Sequence, residues 1–366
     1  MTDGMIRTAA DLAAICAKAK EEGLLSLDTE FVWRSTYRPQ LGLVQAGTRG
    51  SAAAIDCLAG FAPSALGEIL ADASVVKILH DARQDLTHLR HYTGAYPVNV
   101  FDTQLAAAFA GFPGGIGLQK LLFDAIGVGL PKTETLTDWM RRPLTAAQIE
   151  YALDDVRYLP ALMDELLKRC DAAGTRAWLE EDLAKYDDPS LYADACPQEA
   201  WKRIKTGRAK LDSRAFAVLR SVAALREELA REWNIPRTWA GDDPSLVRMA
   251  LEKRVSHLAH RLRGSLGDVA RAKYSKSIAS AMALPEEECP SNPRPHYIRE
   301  VQEAADEALA WLRAKADAIR IDPGLIASRA TVTAFVDDAE DETNPLASGW
   351  RAEVAGREMA SRFAVE

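Results

Sequence analysis

The sequence predicts an α/β domain with a mixed sheet flanked by helices, followed by two small all-α domains. Strand-like and helix-like segments alternate from residue 6 to about residue 160, the pattern of a layered α/β or mixed sheet. Strand signals become rare from about residue 161. Two breaks, DDPSLYADACPQE and LPEEECPSNPRPH, then divide the helical remainder, the second with four prolines and three consecutive glutamates.

In chain order, ADLAAICAKAKEEG reads as a helix and LLSLDTEF as a strand. GLVQAG, SAAAIDCL and VVKILHDA read as strands or strand ends, and APSALGEILAD and RQDLTHLRHY as helices. QIEYALDDVRYL, ALMDELLKRCDAAG and TRAWLEEDLAKY follow with helical periodicity. Beyond the first break, WKRIK, RAFAVLRSVAALREELAREW, DPSLVRMALEK and VSHLAHRLRG space their apolar residues as helices do. The last block holds YIREVQEAADEALAWLRAKADAIR, DPGLIASRATVTAFVDD and ASGWRAEVAGREMASRF, with the acidic stretch VDDAEDETNP as a surface loop. The expected division is a first domain at 1–170, a linker at 171–196, a helical domain at 197–277, a linker at 278–296 and a second helical domain at 297–366.

Composition narrows the classes. With 366 residues and 48% hydrophobic content the chain can bury more than one core. No apolar run reaches 18 residues, and MTDGMIRTAADLAA lacks a basic region followed by a hydrophobic one. Both features speak against a membrane span and a secretory signal, and a cytoplasmic protein is expected. Cys16, Cys57, Cys170, Cys196 and Cys289 are scattered singly, which suits reduced, packed thiols. The net charge of −8 is uneven: residues 201–276 carry 18 Lys and Arg against 8 Asp and Glu, about +10, leaving about −18 elsewhere. Such a basic block is either a polyanion-binding surface or a set of ordinary solvated helix faces.

Asp28 and Glu30 lie two apart in the apolar run LLSLDTEFVW. Strand residues i and i+2 share a face, so the two carboxylates project together. Two such charges repel and lose hydration, which makes sense if a divalent cation sits between them. An edge strand with a polar face is the competing explanation. In QIEYALDDVRYL, Tyr151 and Asp155 share a helix face at i, i+4, whereas Asp154 points elsewhere. Tyr151 can therefore hold its hydroxyl near a ligand of Asp155, as orienting a water requires. Asp85 falls inside the helical run after VVKILHDA, and Asp81 is placed to cap its start.

LDTEF, HDARQDL and YALDDV resemble, in order, the three exonuclease motifs of the DEDD superfamily. The Y-x-x-x-D form, Tyr151 to Asp155, matches its tyrosine subgroup; the histidine subgroup would need a histidine where Glu150 stands. WRSTYRPQLGLVQ, FDTQLAAAF, GLQKLL and TDWMRRPLTAAQIEYALDDVRYL resemble bacterial ribonuclease D more narrowly. The block at 197–275 is similar to an HRDC domain, the module shared with RecQ-type helicases, and LIASRATVTAFV with SGWRAEV resembles a second HRDC-like domain.

The resemblance implies an RNase H-like fold and a metal-dependent 3′–5′ exoribonuclease that releases nucleoside 5′-monophosphates. Asp28, Glu30 and Asp155 would ligate one metal, and Asp28 with Asp85 a second, giving two divalent ions, Mg2+ or Mn2+. Tyr151 would orient the water. The implied partner is RNA, with transfer-RNA precursors and other structured RNAs carrying single-stranded 3′ tails as substrates. A monomer is expected, without ATP, because no G-x-x-x-x-G-K-[ST] occurs.

Neighbouring residues carry two explanations each. Trp33 shares the parity of the acidic pair and either stacks on a base or serves packing, while Phe31 faces the opposite way. Gln84 either contacts the terminal sugar or is simply exposed. Lys132 matches a lysine of the family pattern, which suits a phosphate contact. His80 reads as a satisfied strand-end histidine, Asp102 as a local hydrogen-bonding residue, and His257 with His260 lack acidic or cysteine partners for a metal. Lys202, Arg203, Lys205, Arg208 and Lys210 could neutralise phosphates with little sequence preference. Three alternatives remain: a DNA 3′–5′ exonuclease, a non-catalytic RNA-binding module on a nuclease fold, and a carboxylate metal enzyme for a small molecule. A polymerase or helicase region would favour the first and a missing carboxylate the second; two helical domains would have no obvious task in the third.

Overall fold

The segment Leu24–Val32 forms the longest strand, and Leu24, Leu25 and Leu27 are all buried. A strand apolar on both faces belongs inside a sheet covered on both sides. A computed structural model describes residues 4–130, 137–255, 264–293 and 297–365. In chain order the first elements are β1 (Met5–Ile6), α1 (Ala9–Glu22), β2 (Leu24–Val32), β3 (Gln40–Gly47), β4 (Ala52–Asp56) and α2 (Ser64–Leu70). Next come β5 (Val76–Leu79), α3 (Ala82–Thr93), β6 (Val100–Asp102), α4 (Thr103–Phe109) and α5 (Leu118–Ile126). Then follow α6 (Ala146–Arg157), α7 (Leu159–Ala173) and α8 (Arg176–Leu183). The helical remainder comprises α9 (Ser213–Glu232), α10 (Arg237–Ala240), α11 (Asp243–Glu252), α12 (Gly264–Met282) and α13 (Arg299–Ile319). It closes with α14 (Pro323–Ile326), α15 (Arg329–Asp337), α16 (Gly349–Arg351) and α17 (Arg357–Phe363).

Among the described residues the sheet holds six strands in the order β1-β4-β3-β2-β5-β6. The β2–β5, β5–β6 and β1–β4 pairs are parallel and β3–β4 is antiparallel, so the sheet is mixed as expected. Local chemistry sets the elements that carry the acidic residues. Gly23, at φ 70°, ends α1 and turns the chain directly into β2. Thr145 and Gln148 form a reciprocal capping box at the start of α6. One sheet face packs Leu27, Val44 and Ile55 against Leu12, Ile15, Leu66 and Leu86. On β3 and β4, Leu43 and Ala54 pack instead with Trp139, Ile149 and Leu153 around α6.

The chain divides into two units: Met1–Val32, Leu41–Tyr192 and Tyr297–Glu366 in one, Trp33–Gln40 and Ala193–His296 in the other. Within the first, the last helical block shares a core with the sheet domain. Leu24, Ile78, Phe109, Leu162 and Leu166 belong to one cluster with Leu309, Leu312, Phe335 and Trp350. Trp350 stacks on Trp178 at 5.3 Å and meets Phe109 edge-on at 5.4 Å. Arg351 reaches Asp182 with two bonds of 2.6 and 2.7 Å, which hold the Asp182 carboxyl below its usual range against the opposing effect of burial.

In the second unit α9 is central. Phe216, Val222 and Leu229 pack with Trp201, Leu246, Met249, Tyr274 and Ile278. Tyr37 belongs to this unit and accepts a 2.8 Å bond from Arg231 Nε. WKRIK departs from the helical expectation: a 3-10 segment, Pro197–Arg203, ends there and Ile204 is extended. VSHLAHRLRG lies almost wholly outside the described residues. Among the described residues no helix is long and apolar enough to cross a membrane.

Candidate metal centre

β2 delivers Asp28 and Glu30, and α6 delivers Asp155. One carboxylate oxygen from each lies within 4.8 Å of the others. Two oxygens on opposite sides of a magnesium ion are separated by about 4.2 Å, so one small cation fits this spacing. All donors are carboxylate oxygens, the hard set that magnesium and manganese take.

The electrostatics fit the same occupant. Asp28 is pushed well above the ordinary carboxyl range, first by burial and then by Asp85, Asp155 and Glu30. Burial, with Asp155 and Asp85, raises Glu30 to about 8. Asp155 and Asp85 are also raised, chiefly by burial. A divalent cation held by Asp28, Glu30 and Asp155 would offset the repulsion among them and favour their ionised forms.

Asp85 approaches from α3. It stands outside the three-carboxylate group but acts electrostatically on both Asp28 and Glu30. Thr29 Oγ1 donates a short hydrogen bond to Asp85 Oδ1, and three residues further along α3, His88 meets the Phe31 ring edge-on at 4.2 Å. Phe31 therefore packs on α3, on the opposite side of β2 from Glu30, as its parity required.

Asp102 holds the helix that carries Asp85. Its buried carboxylate accepts from the backbone amides of Asp81 and Ala82, at the start of α3, and of Gln104 and Leu105, at the start of α4. Tyr186 adds a 2.6 Å bond from its hydroxyl. The expectation that Asp81 caps α3 is corrected. Asp81 occupies the cap position at φ 59°, but its side chain makes no capping bond, and Asp102 from β6 supplies the acceptor. His80 is satisfied by Thr103 at 2.9 Å and the Ile116 carbonyl at 3.0 Å.

Several contacts set α6. Ser26 Oγ lies 2.8 Å from the Val156 carbonyl and 3.0 Å from that of Gly47, tying the helix to β2 and β3. Tyr151 sits one turn before Asp155 with its ring stacked on Trp139 at 6.4 Å. Arg142 fixes the segment leading in: it binds Asp56 at 2.7 and 3.0 Å, the Trp139 carbonyl at 2.9 Å and the Gly42 carbonyl at 2.7 Å. Asp154 pairs with Arg157 rather than standing free in solvent.

The remaining candidates fall elsewhere. Gln84 is exposed on α3. Trp33, half-exposed, belongs to the second unit and donates its indole N–H to the Thr36 carbonyl. Lys202, Arg203, Lys205, Arg208 and Lys210 are exposed on that unit, and Lys202 is paired with Glu199. Lys132, His257 and His260 lie outside the described residues. All five cysteines are free; Cys196 is exposed, unlike the packed role expected of it. Sequence reasoning did not single out Ser26, Thr29, Trp139 or Arg142. A charged residue in the midst of TDWMRRPLT, and small polar residues interrupting an apolar strand, were the only signals they gave.

A mixed sheet with an acidic centre on its second strand defines the class of 3′–5′ exonuclease domains, and a family model described as 3'-5' exonuclease matches residues 4–171. The chain is 39% identical to ribonuclease D of Desulfotalea psychrophila over 335 residues, covering 88% of each. It is 34% identical to ribonuclease D of Granulibacter bethesdensis over 97% of this chain and 91% of that one. The crystal structure of Escherichia coli RNase D, described as an exoribonuclease involved in structured RNA processing, matches over 100% of both chains with TM-score 0.86 and 28% identity. The chain belongs to the ribonuclease D family and is a 3′–5′ exoribonuclease.

Proposed function

We propose that this exoribonuclease trims the 3′ ends of structured RNAs, transfer-RNA precursors among them, with two divalent cations held by Asp28, Glu30, Asp85 and Asp155. The observation that carries the reading is the convergence of three carboxylate oxygens from β2 and α6 within 4.8 Å. The electrostatic reach of Asp85 onto the same group supports a second ion. Asp28, Glu30 and Asp155 would hold one cation, and Asp28 with Asp85 the other. When bound, such ions supply an activated water and neutralise charge on the attacked phosphate and the leaving oxygen.

The chain's own residues do the rest. Tyr151, one turn from Asp155 and backed by Trp139, orients the water for in-line attack on the last phosphodiester. The water oxygen joins the phosphorus and gives up a proton, the bond to O3′ breaks, and O3′ takes up a proton in its place to become the new 3′ hydroxyl. The terminal nucleotide leaves as a nucleoside 5′-monophosphate. Trp33 and Gln84 meet the terminal base and sugar, and Lys132 a phosphate. Lys202, Arg203 and Lys205 hold the body of the RNA by charge, with little sequence preference. The division at 170, 197, 277 and 297 assigns catalysis to the first domain and RNA holding to the HRDC-like ones. We take the protein to act as a monomer in the cytoplasm, which its five free thiols suit.

The test is a 5′-labelled RNA with a stem and a short 3′ tail, incubated with Mg2+ or Mn2+ beside Asp28→Ala and a matching DNA. Stepwise shortening that stops near the stem, releases mononucleotides and vanishes with chelator or in the variant is expected. Equal trimming of DNA would move the role towards repair. Salt-sensitive RNA binding without shortening would reduce the protein to a binding module.

A further inference from the structure

We propose that Gln45 is a positioning residue of the acidic centre, whose side-chain amide is placed to donate to Asp28 when Asp28 holds a cation and so fixes which oxygen Asp28 turns towards it. The inference rests on the reading of that centre given above. Gln45 lies on β3 at 0% exposure, yet neither its Nε2 nor its Oε1 has a hydrogen-bond partner. Burying an amide without partners is costly, and native folds seldom do so without a use for the group.

The pairing of β2 and β3 says what lies beside it. The two strands are neighbours, joined by only the seven residues between Val32 and Gln40. A parallel pair needs a crossover of about a dozen residues or more, so these strands are antiparallel. A Cβ on Gly47 would stand 2.4 Å from Ser26 Oγ, so positions 26 and 47 face each other. Two steps along each strand, in opposite directions, bring Gln45 opposite Asp28 on the same face. That face is the one against α6, because Ser26 lies 2.8 Å from the Val156 carbonyl, next to Asp155.

Apart from the Thr29 backbone amide, the groups around Asp28 are Asp85, Asp155 and Glu30, none of which can donate once ionised. A neutral amide suits this position. It can steady one carboxylate oxygen without bringing a positive charge that would compete with the cation, as lysine or arginine would. Outer residues of this kind tune metal affinity by about 10–100-fold.

The experiment compares the full chain with Gln45→Met, which keeps the volume and removes both polar atoms, and with Gln45→Leu as a second packing solution. Mn2+ binding is measured by calorimetry, melting temperature in chelator by fluorimetry, and RNA turnover by kcat and KM. The expected result is Mn2+ affinity about tenfold weaker, a lower kcat, an RNA KM changed by less than about twofold, and a chelator melting temperature no lower than the parent's. Unchanged Mn2+ affinity in both variants would overturn the inference while leaving the acidic centre intact. Loss of affinity together with a lower chelator melting temperature in both would also overturn it, marking Gln45 as a packing residue. A parent chain that takes up no Mn2+ would remove the reading of the centre itself, and this inference with it.

Discussion

Asp28 sits where every nearby charge opposes it, so its value to the fold and its value to catalysis have opposite signs. Asp28→Asn should lower kcat by about 10²–10³ or more while raising the melting temperature in chelator. RNA turnover and a thermal scan of one preparation check both halves. Glu30 gives the pH counterpart. Its carboxyl keeps a proton up to about pH 8 in the fold, against 4.5 ordinarily. Between those values the native state binds the extra proton, so stability falls as pH rises through that window and levels off above it. His88, lowered to about 4 by burial, acts in the opposite sense below its ordinary 6.5, where stability rises with pH. Comparing the parent with Glu30→Gln in chelator, at about pH 5 and about pH 8, isolates the Glu30 contribution. The variant should lose less melting temperature across that interval.

At the scale of elements, the site depends on how closely α6 lies on the sheet. Gly47 permits that approach: a Cβ there would come within 3.1 Å of the Val156 carbonyl as well as crowding Ser26. Gly47→Ala should cost about 1–3 kcal/mol by overpacking and lower Mn2+ affinity through displacement of Asp155, measured by denaturation and calorimetry. β2, α3 and α6 were all legible in the sequence, because carboxylates within apolar runs at periods of two and four admit few other arrangements. Two strands were not. Met5–Ile6 and Val100–Asp102 are too short to show alternation. Asp102 could be marked as a hydrogen-bonding residue, but its grip on two helix starts requires β6 and α3 to be brought together. Gln45 was invisible for a similar reason, since its meaning lies in a strand register. The charged positions were readable one by one, and the residues that hold them were not.

For the whole molecule, the shared core decides what can be removed. Residues 297–366 contribute Leu309, Leu312, Phe335 and Trp350 to the cluster that backs the sheet. A chain cut after residue 296 should therefore lose soluble, active protein, and Asp182→Ala in the full chain should cost about 3–5 kcal/mol by stranding Arg351. Expression in the soluble fraction and denaturant midpoints test the two. The second unit makes a different prediction. Replacing Lys202, Arg203 and Lys205 together with alanine should weaken RNA binding across sequences and reduce the slope of log Kd against log salt by about 2–3.

Trp350 and its neighbours also bear on when the enzyme comes into being during synthesis. Asp28 leaves the ribosome early, Asp155 more than a hundred residues later, and Trp350, which joins the core that backs the sheet, later still. A growing chain carries half-built catalytic parts past the messenger and transfer RNAs that are making it. Because Trp350 follows Asp155 by nearly two hundred residues, the acidic centre is translated well before the core that backs the sheet can close.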